Sequence, residues 1–170
     1  MGLFDKLTGT KRPAEGVAPR SAAEVHAALL GLNNPDVPYI VRDGREEDAD
    51  LVAEWRILDP AWQTFFIRTQ VSRVFQVRMR LVPEKHEVRS LDQQYEVTWV
   101  GGTPHLAITA EAQRGQVQTV SKRWTLGGGD DDAQRTTETF SFDTSDLKTP
   151  LQETVLSSGW TWRGVITGKL

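Results

Sequence analysis

The side chains in this chain that could do chemistry are three histidines, two acidic runs, a run of glycines and a cluster of arginines. Their spacing removes most of the options. His26, His86 and His105 stand far apart, and none forms the His-x-His or His-Glu-x-x-His pattern that brings two imidazoles onto one metal. The run Asp43-Gly-Arg-Glu-Glu-Asp-Ala-Asp50 has the composition of a calcium loop. It lacks the alternating ligands and the closing glutamate, so it reads as a solvated turn. Gly127-Gly-Gly129 lacks the Lys and Ser/Thr of a phosphate loop. Asp130-Asp-Asp132 directly after it would repel phosphate, so a polar hairpin tip is expected. There is no Gly-x-Ser-x-Gly elbow and no dinucleotide loop. The absence of cysteine removes disulfides, thiolate metal sites and thiol nucleophiles. No catalytic residue, metal site or cofactor is expected. The remaining enzymatic alternative is His86 or His105 meeting a carboxylate from a distant part of the chain.

The arginines carry more information. Arg68, Arg73, Arg78, Arg80, Lys85 and Arg89 oppose only Glu84 and Glu87, leaving four positive charges in one segment. Arg78 and Arg80 share one side of a strand. That side is either a solvated exterior with cross-strand ion pairs, in which Asp92 faces Arg78, or a face that takes an anion or acidic partner. The anion could be a phospholipid headgroup or a nucleotide. No aromatic interleaves with these arginines, and the whole chain carries a net charge of -3. A nucleic-acid partner is therefore not expected.

The strand that carries them is the first half of a hairpin. Phe75, Val77, Met79 and Leu81 alternate with Gln76, Arg78 and Arg80, the period of a half-buried strand. Pro83–His86 makes the turn, and the return strand ends at Tyr95–Val100. Upstream, Leu3, Phe4 and Leu7 share one face of a short amphipathic segment that Gly9 ends. Residues 1–20 read as a flexible tail, and residues 21–170 as a single domain. Ser21 and Glu24 form a capping box for a helix with Val25, Ala28, Leu29 and Leu32 on its apolar face. Tyr39–Arg42 and Leu51–Leu58 are strands. Asp59-Pro60 starts an aromatic helix that aligns Trp62, Phe65 and Phe66.

Further strands are expected at 106–110, 117–126 and 135–142. A second capping box, Thr149-Pro-Leu-Gln152, starts a short helix that Gly159 closes. A last strand follows from Trp160 to Ile166. The order α-β-β-α-β-β-β-β-β-α-β implies an α+β fold. Its sheet is a curved antiparallel one, or a partly open barrel of about seven or eight strands, with three helices packed on one face or end.

Six tryptophans are the compositional oddity. They fill the core or line a pocket for a flat or apolar molecule. Trp62, Phe65, Phe66, Trp99 and Trp162 are the expected lining of such a pocket. The segments Met1–Gly9, Ala49-Asp-Leu-Val-Ala-Glu-Trp-Arg56 and Gly159-Trp-Thr-Trp-Arg-Gly164 together resemble, across the whole chain, a group of actinobacterial hypothetical proteins with no assigned activity. That resemblance implies a bacterial, cytoplasmic setting and transfers no functional residues. The element order of residues 51–158 is similar to helix-grip lipid-binding domains, and the run of strands before a terminal helix is similar to pleckstrin-like domains.

The lack of an apolar run near the roughly 20 residues of a membrane span, of a signal-peptide core and of cysteine also points to the cytoplasm. The functional expectation is a non-enzymatic module for a small apolar or lipid-like ligand. The alternative is an adaptor that docks on a protein partner or membrane surface through residues 1–9 and the Arg78/Arg80 face. The oligomeric state stays open.

Overall fold

A computed structural model describes residues 3–69, 73–108, 123–125, 139–141, 144–165 and 170. The helices are α1 (Leu3–Thr8), α2 (Ala22–Leu30), α3 (Pro60–Thr69) and α4 (Thr144–Ser157). The strands are β1 (Tyr39–Asp43), β2 (Leu51–Trp55), β3 (Arg73–Val82), β4 (Glu87–Val100), β5 (Thr103–Ile108), β6 (Arg123–Thr125), β7 (Thr139–Ser141) and β8 (Thr161–Gly164). The Gly127–Asp132 tip and most of the strands expected at 117–126 and 135–142 lie outside the described residues.

Strands β1-β2-β3-β4-β5 run antiparallel in that order and form a curled sheet, giving an α+β fold. The hairpin at its centre pairs ten residues of β3 with β4, from Arg73 opposite Glu96 to Val82 opposite Glu87, and its turn is well made. Pro83 opens a single 3-10 turn, and His86 takes a left-handed conformation at φ 46°. One expectation fails at the end of the chain. Strand β8 pairs with β4 in parallel, not antiparallel. It reaches β4 through α4, and a helical crossover is what allows parallel pairing. The second edge of β4 is thus divided, with β8 along Glu87–Ser90 and β5 along Tyr95–Val100.

The core lies on the sheet face that carries Val41, Leu51, Ala53, Val77, Met79, Val88 and Trp162. Val25 and Leu29 of α2, Phe66 of α3, and Leu147, Leu151 and Val155 of α4 belong to the same buried cluster. Helix α2 starts as its sequence implies: Ser21 Oγ accepts from the Glu24 amide at 3.2 Å, and the Glu24 carboxylate accepts from the Ser21 amide at 2.8 Å.

Helix α4 begins six residues before Pro150, so that proline sits inside the helix instead of at its first position. Pro150 cannot supply an amide to the helical ladder. The extra turn persists because it buries Leu147 completely and brings Lys148 onto the buried carboxylate of Asp92. This corrects the expected pairing of Asp92 with Arg78. Leu91 stands opposite Arg78, while Asp92 stands opposite Val77 and points to the core face. A one-residue difference in register moves a side chain to the other face of a sheet.

The segment after α1 is tied to the domain. Lys11 and Trp162 exchange two backbone bonds of 2.8 and 2.9 Å, and Trp160 Nε1 donates to the Arg20 carbonyl at 2.8 Å.

Candidate functional site: a cleft on the second sheet face

The other face of the sheet is neither plain exterior nor plain core. The register aligns Ile40, Glu54, Gln76 and Gln93 in one row across four strands, and Arg42, Val52, Arg78 and Leu91 in the next. Val52 and Leu91 are buried, and so are Gln76 and Gln93. Polar side chains buried in adjacent positions must satisfy one another, and a connected chain of hydrogen bonds results. Arg42 Nε donates to Glu54 Oε1 at 2.7 Å, and Arg42 Nη1 donates to Glu47 Oε2 at 3.1 Å. Gln76 Nε2 donates to Glu54 Oε2 at 2.9 Å, and Arg78 Nε donates to Gln76 Oε1 at 3.0 Å. Tyr95 closes the chain with its hydroxyl 3.4 Å from both Gln76 Oε1 and Arg78 Nη2.

A cleft of about 510 Å³ opens over this chain. Arg42, Glu47, Glu54, Gln76 and Tyr95 form its polar side. Ile40, Ile57, Leu58, Val74 and Leu106, with Trp55 and Phe75, form its apolar side. Leu58 is 66% exposed and Leu106 37%. Arg56 supports the wall by donating to the Tyr39 and Asn34 carbonyls at 3.0 and 3.1 Å.

The electrostatics of the polar side are internally compensated. Hydrogen bonds that Arg42 donates, first to Glu47 and then to Glu54, hold its guanidinium protonated above its ordinary range. The bond from Arg42 in turn holds the Glu47 carboxyl below the usual carboxylate range. Held this way, Glu47 stays ionised at neutral pH and serves as an acceptor, not as a proton donor. Among the described residues, the Tyr95 hydroxyl in the lining has only long contacts, and Arg78 beside it bonds to neutral partners. No histidine, serine or threonine is among the lining residues. Among the described residues, no group of three or more His, Asp or Glu side chains could hold a metal ion.

The residues expected from the sequence to line a pocket lie elsewhere. Phe66 and Trp162 are completely buried in the core, and Phe65 is nearly so. Trp62 stands edge-on to Phe65 with ring centres 5.8 Å apart, and it packs half-buried against the core, as Trp99 does. None of the five is among the residues that line the cleft. Arg78 is half-buried and bonded within the face, while Arg80 donates to the Asp48 carbonyl at 2.6 Å.

Arg42, Glu47 and Glu54 were missed because they are 5 and 12 positions apart and fit no motif. The usable signal was a lone charge inside a short apolar strand, at Tyr39-Ile-Val-Arg42 and Leu51-Val-Ala-Glu-Trp55.

Comparison with protein-family models, curated proteins and solved structures finds no match. No helix among the described residues is long and apolar enough to cross a membrane.

Proposed function

We propose that this protein is a non-enzymatic binding module that takes a small amphipathic molecule in the second-face cleft. The observation that carries this reading is the pairing of one apolar wall with one hydrogen-bonded polar wall in a cleft of about 510 Å³. That size lies within the range of small-ligand sites, roughly 300–1,000 Å³. The lining carries Arg42 and Arg56 against Glu47, Glu54 and Asp59, so it offers no surplus positive charge for an anion. The favoured ligand is an apolar body with a neutral hydroxyl, carbonyl or amide that meets Tyr95 and Gln76. Trp55 lines the cleft and is a built-in reporter. Titration with a panel of fatty alcohols, fatty acids, neutral lipids and nucleotides should quench or shift tryptophan emission for the neutral amphiphiles. The response should vanish in Trp55→Phe. No response to any member of the panel, or a response that survives in Trp55→Phe, sinks this reading.

A second reading is docking on a membrane surface or protein partner through residues 1–9. It is favoured by Leu3 and Leu7, which are 77% and 65% exposed on α1, beside Lys6. Thr8 and Thr10 are buried directly behind them, with their hydroxyls 2.7 Å apart. A chain lacking residues 1–9 should lose flotation with anionic vesicles or capture of the partner. Unchanged behaviour in both assays removes the idea.

A further inference from the structure

We propose that the far end of the second sheet face binds a phosphate-bearing anion through Arg80, Arg89 and Arg163, which stand side by side on three adjacent strands. The register sets Arg80 of β3 opposite Arg89 of β4, and Arg89 opposite Arg163 of β8. Residues opposite one another share a face in antiparallel and parallel pairs alike. At the usual strand spacing the row spans roughly 10 Å. Arg78 follows two residues along β3 on the same side. Like charges directly opposite each other destabilise a sheet. This sheet nevertheless places two such pairs in one row, an arrangement that an anion would relieve.

Among the described residues the row has few counter-charges. Buried Glu87 accepts from Arg89 Nε at 2.9 Å and lies 3.6 Å from Arg163 Nη1. Asp48 Oδ1 is 3.4 Å from Arg80 Nη2, but its carboxylate is fully exposed, where an ion pair is worth little. Asp50 turns its carboxylate to the Leu81 amide at 2.8 Å. Among the described residues Arg78 bonds only to Gln76 and Tyr95. Arg80 Nε is buried with no hydrogen-bond partner among the described residues.

Among the described residues, Arg80, Arg89, Arg163 and the neighbouring Arg78 outnumber Glu87, Asp48 and Asp50 by one, a local positive excess that favours an anion. Planar guanidinium forks suit the oxygens of phosphate in a bidentate manner. The three side chains in the row are between 31% and 46% exposed. They can be reached, yet are dry enough for charge-assisted bonds to count. Arg80 lies four residues along β3 from Gln76, about 13 Å away at strand geometry. None of Arg80, Arg89 and Arg163 lines the cleft, so the row does not depend on the ligand proposed there.

The test is calorimetric titration of the full chain with inorganic pyrophosphate near physiological ionic strength. A parallel arm uses vesicles of phosphatidylcholine with and without phosphatidic acid. Saturable pyrophosphate binding is expected, weakened about tenfold or more in Arg163→Gln and in Arg80→Gln, as loss of a charged hydrogen bond implies. It should be unchanged in Arg45→Gln, an exposed arginine in the β1–β2 connection. Binding to phosphatidic acid vesicles but not to pyrophosphate, with the same sensitivity to Arg163→Gln, places the phosphate on a lipid surface and upholds the site. Absence of saturable binding in both arms overturns the proposal. So does equal loss in all three variants, because diffuse attraction would then explain it. Thermal melts of each variant check folding, and Arg80→Gln stands in should Arg163→Gln fail to fold.

Discussion

Replacing Arg42 by methionine removes the cation that two carboxylates share. Glu47 and Glu54 lose their bonds of 3.1 and 2.7 Å to the guanidinium and then face each other across the space it filled. The Arg42 side chain is 32% exposed, which places its ion pairs between the surface and buried cases. A surface pair is worth at most about 1 kcal/mol, whereas removing one member of a buried pair costs about 3–5 kcal/mol. Two half-buried pairs plus the new repulsion should cost roughly 2–3 kcal/mol at pH 7, a fall in Tm of roughly 4–12 °C for a domain of this size.

The loss should depend on pH. In the folded protein Arg42 lowers the Glu47 pKa, so this contribution is fully present above the unfolded carboxyl value and fades as pH falls through the folded one. The difference between wild type and variant should therefore shrink below about pH 4. Urea unfolding of both proteins at neutral and acidic pH measures this. A neutral-pH loss under about 0.5 kcal/mol, or an equal loss at both pH values, would show that the network is not held by Arg42.

Three further outcomes are expected. Gly159→Ala should destabilise by about 2–4 kcal/mol in chemical denaturation, because φ is +76° and a Cβ would sit 2.7 Å from the Ala18 carbonyl oxygen and Pro19 Cα. A loss under about 1 kcal/mol would contradict that packing. Asn33→Ala should cost about 1–2 kcal/mol and raise self-association measured by sedimentation. The Asn33 amide pairs with the Val41 backbone at 2.7 and 2.8 Å and so occupies that edge of β1; a variant with unaltered stability would count against this role. Pro150→Ala should stabilise by about 1–2 kcal/mol, since an amide regained inside α4 outweighs the freer unfolded chain. A melting temperature lower than wild type would show that the proline is needed where it is.

Much of the local structure could be read from the chain because it rests on neighbours in sequence. The Ser21/Glu24 box, the Asp59-Pro60 start, the Gly159 stop and the β3–β4 hairpin each depend on groups a few residues apart. The element order, from which the α+β class followed, came from the same signals. Helix α4 escaped because the proline rule for a helix start is local, while Leu147 and Lys148 gain their stability from the core and from Asp92.

The candidate sites could not be read in this way. The alternation of β3 shows which side chains share a face, but not what stands beside them on β2, β4 and β8. Register decided that Asp92 turns inward to Lys148 and that Leu91 meets Arg78. Register also joined Arg42, Glu54 and Gln76 into one polar wall, and set Arg80, Arg89 and Arg163 in one row. The physical reason is that a residue's face has a period of two along a strand, whereas its neighbours across strands are set by loop lengths and the packing of the whole sheet. The sequence by itself determined the elements and their apolar faces. Only the tertiary structure decided which charges meet, and so where this protein could hold a ligand.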